Sequence, residues 1–161
     1  MTWAKAVVLQ AARLSAAHNA TLTGIQAFLD AVQRGKARPQ DNPHRNLRHA
    51  FHAERLFFCI AAAKFFEYRN WVVELKLVDP QVFVEIDKFE SDAKAMRNLN
   101  EHAAEYFKGP GQRRKDWDAN VAQFNADPTG TAGTLIGGRL DWAKLGLAMA
   151  TLIPTIPDAL P

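Results

Sequence analysis

Two polar side chains, Glu54 and Asn100, each interrupt an otherwise apolar stripe in this sequence. Burying an unpaired carboxylate or amide costs on the order of a few kcal/mol, so each calls for a partner. Around them fall His49, His52, Arg55, Arg97, His102 and Tyr106. Gathered at one end of a helical pair, such groups make either a register-fixing hydrogen-bond network or a cleft of ionisable side chains. The pattern leaves both open.

His49 and His52 have i, i+3 spacing with Glu54 nearby, so one helix would offer two metal ligands. A di-iron bundle needs Glu-x-x-His on two helices, and the sequence has neither. Arg48 and Arg55 flank the histidines and oppose a cation. A metal-binding bundle is therefore the third of three readings, and no metal or other cofactor is expected. Cys59, the single cysteine, excludes an internal disulfide and sits in the apolar run Leu56-Phe57-Phe58-Cys59-Ile60, as a buried structural thiol would. Gly130-Thr131-Ala132-Gly133-Thr134 lacks the lysine of a phosphate-cradling loop.

The elements that must position these groups are mainly α-helical. The 161 residues, 48% apolar with ten Phe and four Trp, suffice for one domain with its own core. Residues 1–35 read as two N-terminal helices, parted at Asn19-Ala20-Thr21 and stopped at Gly35, the second opening at Thr23 with Gln26 in capping-box register. Residues 43–108 read as a long antiparallel α-hairpin. Asn42-Pro43 caps its first helix, whose seam is Leu47, Phe51, Phe58, Ala61, Phe65, Tyr68, Val72 and Leu75. Asp79-Pro80 opens its second helix, with the seam Val82, Ile86, Phe89, Ala93, Met96, Asn100, Ala103 and Phe107, ended by Gly109-Pro110-Gly111. Folding back near residue 79 sets position 54 opposite about 104, roughly one turn from Asn100.

Beyond residue 117 the turn signals Asp127-Pro128-Thr129-Gly130 and Gly137-Gly138 predict a small β-hairpin within 117–143, then a short helix over 143–153 and a proline-bearing tail over 154–161. The first residues lack the apolar core of a signal peptide, and no stretch is long and apolar enough for a membrane span. Cytoplasmic residence without membrane partners is the expectation. The net charge of +3 permits nucleic-acid contact without demanding it. Its basic clusters, Arg34-Lys36-Arg38, Arg45-Arg48 and Arg113-Arg114-Lys115, are expected in or beside loops.

The segment Arg97-Asn98-Leu99-Asn100-Glu101-His102 resembles the R-x4–6-H signature of the HEPN superfamily, including the polar residue after the arginine. The resemblance covers residues 43–108. It implies a helical bundle built on a long hairpin, often dimeric across the motif-bearing face, in a superfamily that holds RNA-cleaving members and members without catalytic activity. For a catalytic member it implies metal-independent RNA cleavage through the ribose 2′-hydroxyl. Arg97 would then stabilise charge on the scissile phosphate, His102 would move a proton, and Asn98 would orient them. Arg113, Arg114 and Lys115 would contact RNA phosphates. On an unbroken helix positions 97 and 102 diverge by roughly 140°, so a break near Asn100 or a dimer partner must bring them together. The leading expectation is an interaction or dimerisation module, a homodimer with an unidentified partner protein; the ribonuclease, with RNA as its partner, is the alternative.

Overall fold

The computed structural model describes residues 2–38, 44–106 and 112–156, without the side chains of 44–46, 104 and 112–113. Asn42-Pro43, Phe107 and Gly109-Pro110-Gly111 lie outside the described residues. Helices dominate, in the order α1 (Thr2–Gln33), α2 (His44–Glu74), α3 (Val84–Asp87), α4 (Glu90–Glu101), α5 (Ala103–Tyr106), α6 (Gln112–Phe124) and α7 (Trp142–Leu152). Three two-residue strands, β1 (Thr131–Ala132), β2 (Leu135–Ile136) and β3 (Leu140–Asp141), form an antiparallel meander before α7. The mainly α architecture with a long helical pair, a small sheet and a C-terminal helix is as the sequence indicates.

α1 replaces the two expected N-terminal helices. The Thr21 hydroxyl donates back to the Ala17 carbonyl at 2.8 Å, and Gln26 reaches forward to Asp30 at 2.9 Å, so neither side chain caps a new helix. Such i−4 bonding satisfies a hydroxyl within a continuous helix. Gly35, at φ +67°, is the stop. Its N–H bonds the Val32 carbonyl, while the Lys36 N–H bonds that of Ala31. That left-handed termination favours glycine.

α1 and α4 both pack on α2, and α7 closes over α1. With neighbours on two sides, α2 buries a face wider than one seam: Phe58, Cys59, Ala61, Ala62, Phe65, Phe66 and Val72. Leu75, expected in that seam, is exposed, and Arg55 is buried instead. The other arm of the hairpin is interrupted. Asp79 caps a 3-10 turn over Pro80–Phe83 by accepting from the Gln81 N–H at 2.9 Å, and α3 follows. α4 then carries the seam of Ala93 and Met96, with Ile86 and Phe89 before it.

Residues 112–124 are helical, not part of a β-hairpin. Trp117 and Asn120, one turn apart, give α6 its buried face. The strands lie within 131–141, and the turn between β2 and β3 holds Gly137 and Gly138 at φ +58° and +76°. Both are left-handed, where glycine has no steric cost. Among the described residues no helix is long and apolar enough to cross a membrane.

Candidate functional site

α4 ends one residue short of His102, the residue after Glu101. His102 is its C-cap at φ −102°, ψ 16°, and α5 starts immediately after it. The helix is unbroken from Arg97 to Glu101, and the His102 N–H still bonds the Asn98 carbonyl at 3.1 Å, so the break falls after the motif and not near Asn100, where it would bring Arg97 and His102 together. Their contacts differ accordingly. Arg97 Nε lies 2.5 Å from Glu101 Oε2, with Nη1 3.8 Å from Glu67 Oε1 on α2. His102 Nδ1 lies 3.0 Å from Glu105 Oε1 on α5. Asn98 is exposed and lines a separate 310 Å³ hollow with Tyr106, Asp116, Asn120 and Arg139.

The polar residues of the hairpin separate into distinct settings. Glu54 does not meet Asn100. Its Oε1 accepts from Arg13 of α1 at 2.7 Å, because the neighbour on that side of α2 is α1. Asn100 instead donates to the Met96 carbonyl at 2.8 Å and to that of Pro128 at 3.4 Å, tying α4 to the turn before the meander. Tyr106 is buried against Trp117 with ring centroids 5.3 Å apart, so it serves the α5–α6 packing. His49 is exposed. Arg114 and Lys115 are exposed on α6, with Arg114 paired to Asp118 at 3.1 Å, and so stand on a helix rather than in a loop. The side chain of Arg113 lies outside the described residues.

No family model, curated protein or solved structure matches the chain. Its residues alone must carry the functional reading.

His52 and Arg55 stay together, one turn apart on α2. Arg55 is only 4% exposed, and its Nε and Nη1 are buried without a hydrogen-bond partner. Burial opposes its charge, countered by Cys59 and Asp127. Burial likewise lowers the His52 pKa below its ordinary value, helped by the charges of Arg55 and Arg48 and by His49, and opposed by Asp127. The imidazole is accordingly neutral at pH 7. Burial pushes the Cys59 thiol up to about 12, so this fully buried sulfur is no nucleophile. Among the described residues no three His, Cys, Asp or Glu side chains are placed to hold a metal ion.

His18 is the residue the sequence reading missed. Its ring lies 5.6 Å from that of Phe51 and 6.3 Å from that of Trp142. The signal was available: His18 follows buried Leu14 by four residues, on the same face of α1.

Proposed function

We propose that the chain is a HEPN-like helical bundle that works in the cytoplasm as an interaction module and pairs with a second copy of itself through the outer half of α1. The supporting observation is the split character of that helix. Its buried residues are Ala4, Val7, Ala11 and Leu14, all in the first half. Leu22, Ile25 and Leu29 follow at three- and four-residue spacing and are 53%, 38% and 48% exposed. That spacing places them on one face, the stripe a coiled-coil seam uses. A stripe of this kind fits its own copy in a two-fold arrangement, which presents the same residues from both sides. Rims of Gln26 and the Asp30–Arg34 pair supply the polar border of such a patch.

Sedimentation equilibrium tests this. The wild-type chain is expected to be dimeric at tens of micromolar, and Ile25→Glu/Leu29→Glu monomeric with an unchanged circular dichroism spectrum. A wild-type monomer at that concentration, or a double variant that stays dimeric, rules the reading out.

A second reading draws on the contact between His102 and Glu105. Glu105 at Nδ1 would hold the imidazole in one orientation with Nε2 outward, as a proton-transfer group needs. Arg97 would exchange Glu101 for a phosphate oxygen, and Arg114 and Lys115 on α6 would attract the RNA backbone. Under this reading the chain cuts structured RNA in EDTA and leaves cyclic-phosphate ends, while Arg97→Ala and His102→Ala each lose that activity. Intact RNA, or cleavage that survives both substitutions, removes it.

A further inference from the structure

A cavity of 470 Å³ opens between the outer half of α1, the start of α2 and the beginning of the meander. Ligand sites typically occupy about 300–1,000 Å³. The lining is one-sided in charge. Arg48 and His52 come from α2 and His18 from α1, and no carboxylate is among the described lining residues. The Thr131 hydroxyl, on the opposite wall, is buried and without a hydrogen-bond partner. Phe51, Leu22 and Ile25 complete it with apolar surface.

One turn along α2 from His52 lies the guanidinium of Arg55, whose Nε and Nη1 are buried without a hydrogen-bond partner. Burying a guanidinium with donors left unsatisfied is costly. Asp127 is the carboxylate whose charge acts on both Arg55 and His52. Its Oδ1 accepts instead from the Thr129 N–H at 2.6 Å and hydroxyl at 2.7 Å, so it braces its own turn. A concave surface with cationic and hydroxyl donors, an aromatic wall and a buried cation one turn from His52 is complementary to an anion with a flat ring.

We propose that this cavity binds a phosphate monoester carrying a flat aromatic group, the chemistry of a nucleoside monophosphate. The phosphate sits between Arg48, His52 and the Thr131 hydroxyl, and the ring lies against Phe51 and His18. Arg48 supplies paired N–H donors for phosphate oxygens. His52 accepts a proton as the anion arrives, becoming a second charge-assisted donor. Arg55 lies too deep to need contact; its field favours the anion and is relieved by it.

Isothermal titration with AMP, adenosine and inorganic phosphate tests the proposal on the full chain. AMP is expected to bind with a Kd below about 1 mM, and adenosine about tenfold more weakly or less. Arg48→Gln and His52→Gln, at positions outside the core, should each weaken AMP at least about tenfold with the fold intact by circular dichroism. Arg55→Met should also weaken AMP without lowering the melting temperature, because it removes a buried charge with two unsatisfied donors. Absence of AMP binding, equal affinity for AMP and adenosine, or wild-type affinity in both glutamine variants overturns it. Leu22 and Ile25 line both this cavity and the self-association face, so sedimentation of Arg48→Gln and His52→Gln, which leave the α1 stripe unchanged, keeps failure of the one reading distinguishable from failure of the other.

Discussion

Gly146→Ala lowers the stability of the fold by about 2 kcal/mol, although alanine is the better helix former. Gly146 is buried in the middle of α7, where the helix crosses α1. A Cβ at this position would lie 2.5 Å from the Cβ of Ala11. Ordinary carbon contacts are about 3.5–4.0 Å, so the helices must separate by an ångström or more and open the core lined by Leu14, Leu145 and Met149. On an uncrowded helix the same change stabilises by up to about 1 kcal/mol, so even its sign is informative. The companion Ala11→Gly removes the opposing methyl and should restore much of the loss, after its own helix cost of about 1 kcal/mol. Urea denaturation of the two single variants and the double variant reads the coupling. A stabilised Gly146→Ala, or strictly additive effects, would mean that α1 and α7 do not cross this closely.

The second large effect is expected at Glu90, which joins α4 to α2. Its Oε2 lies 2.6 Å from Arg69 Nη2, and its Oε1 accepts from Asn70 at 2.8 Å and from Lys94 at 2.6 Å. Arg69 is only 13% exposed at its side chain, and its other ionic contact among the described residues is Asp87, at 2.7 Å. Glu90→Ala should therefore cost about 2 kcal/mol, since it leaves a largely buried guanidinium with Asp87 alone and takes the acceptor from Asn70. The Lys94 contribution is small because that ammonium is half in water.

This network also has a pH signature. Burial alone would raise the Glu90 pKa, but hydrogen bonds from Lys94 and Asn70 and the charges of Arg69 and Lys94 outweigh it and hold the carboxyl below its ordinary 4.5. A folded-state pKa below the unfolded one gives stability that is complete above about pH 4.5 and lost as pH falls through the depressed value. Thermal melts between pH 7 and pH 3 should show the wild type losing this share on acidification and Glu90→Ala lacking it. Parallel pH profiles for the two proteins would exclude Glu90 as the source.

Much of the core was legible because single-face periodicity survives in the chain. Phe58, Ala61, Phe65 and Val72 on α2, and Ile86, Phe89, Ala93 and Met96 around α3 and α4, are inward as their spacing indicates. The signals at Gly35, Asp79-Pro80 and Gly137-Gly138 act through backbone geometry that neighbours do not alter. Tertiary context decided the rest. Glu54 looked like the polar interruption of the seam, yet α1 and α4 flank α2 together and turn Arg55 inward. α6 was obscured by its polarity and by the adjacent turn residues, although Trp117 and Asn120 have helical spacing. At the motif, the helix break at His102 appears only in the backbone. The cavity beside His52 needed α1 and β1, which lie far from α2 in sequence.

The continuity of α1 past Leu14 gives its two halves unequal duties. A free segment as long as the outer half would be marginally helical in water, because starting a helix is costly while extending one is not. Here the clamped half acts as the seed. The outer half therefore keeps its form without a core of its own, and can fray inward from Gln33 while the bundle stays shut. Contacts made near Leu29 meet a yielding rod end, whereas those near His18 meet a rigid one.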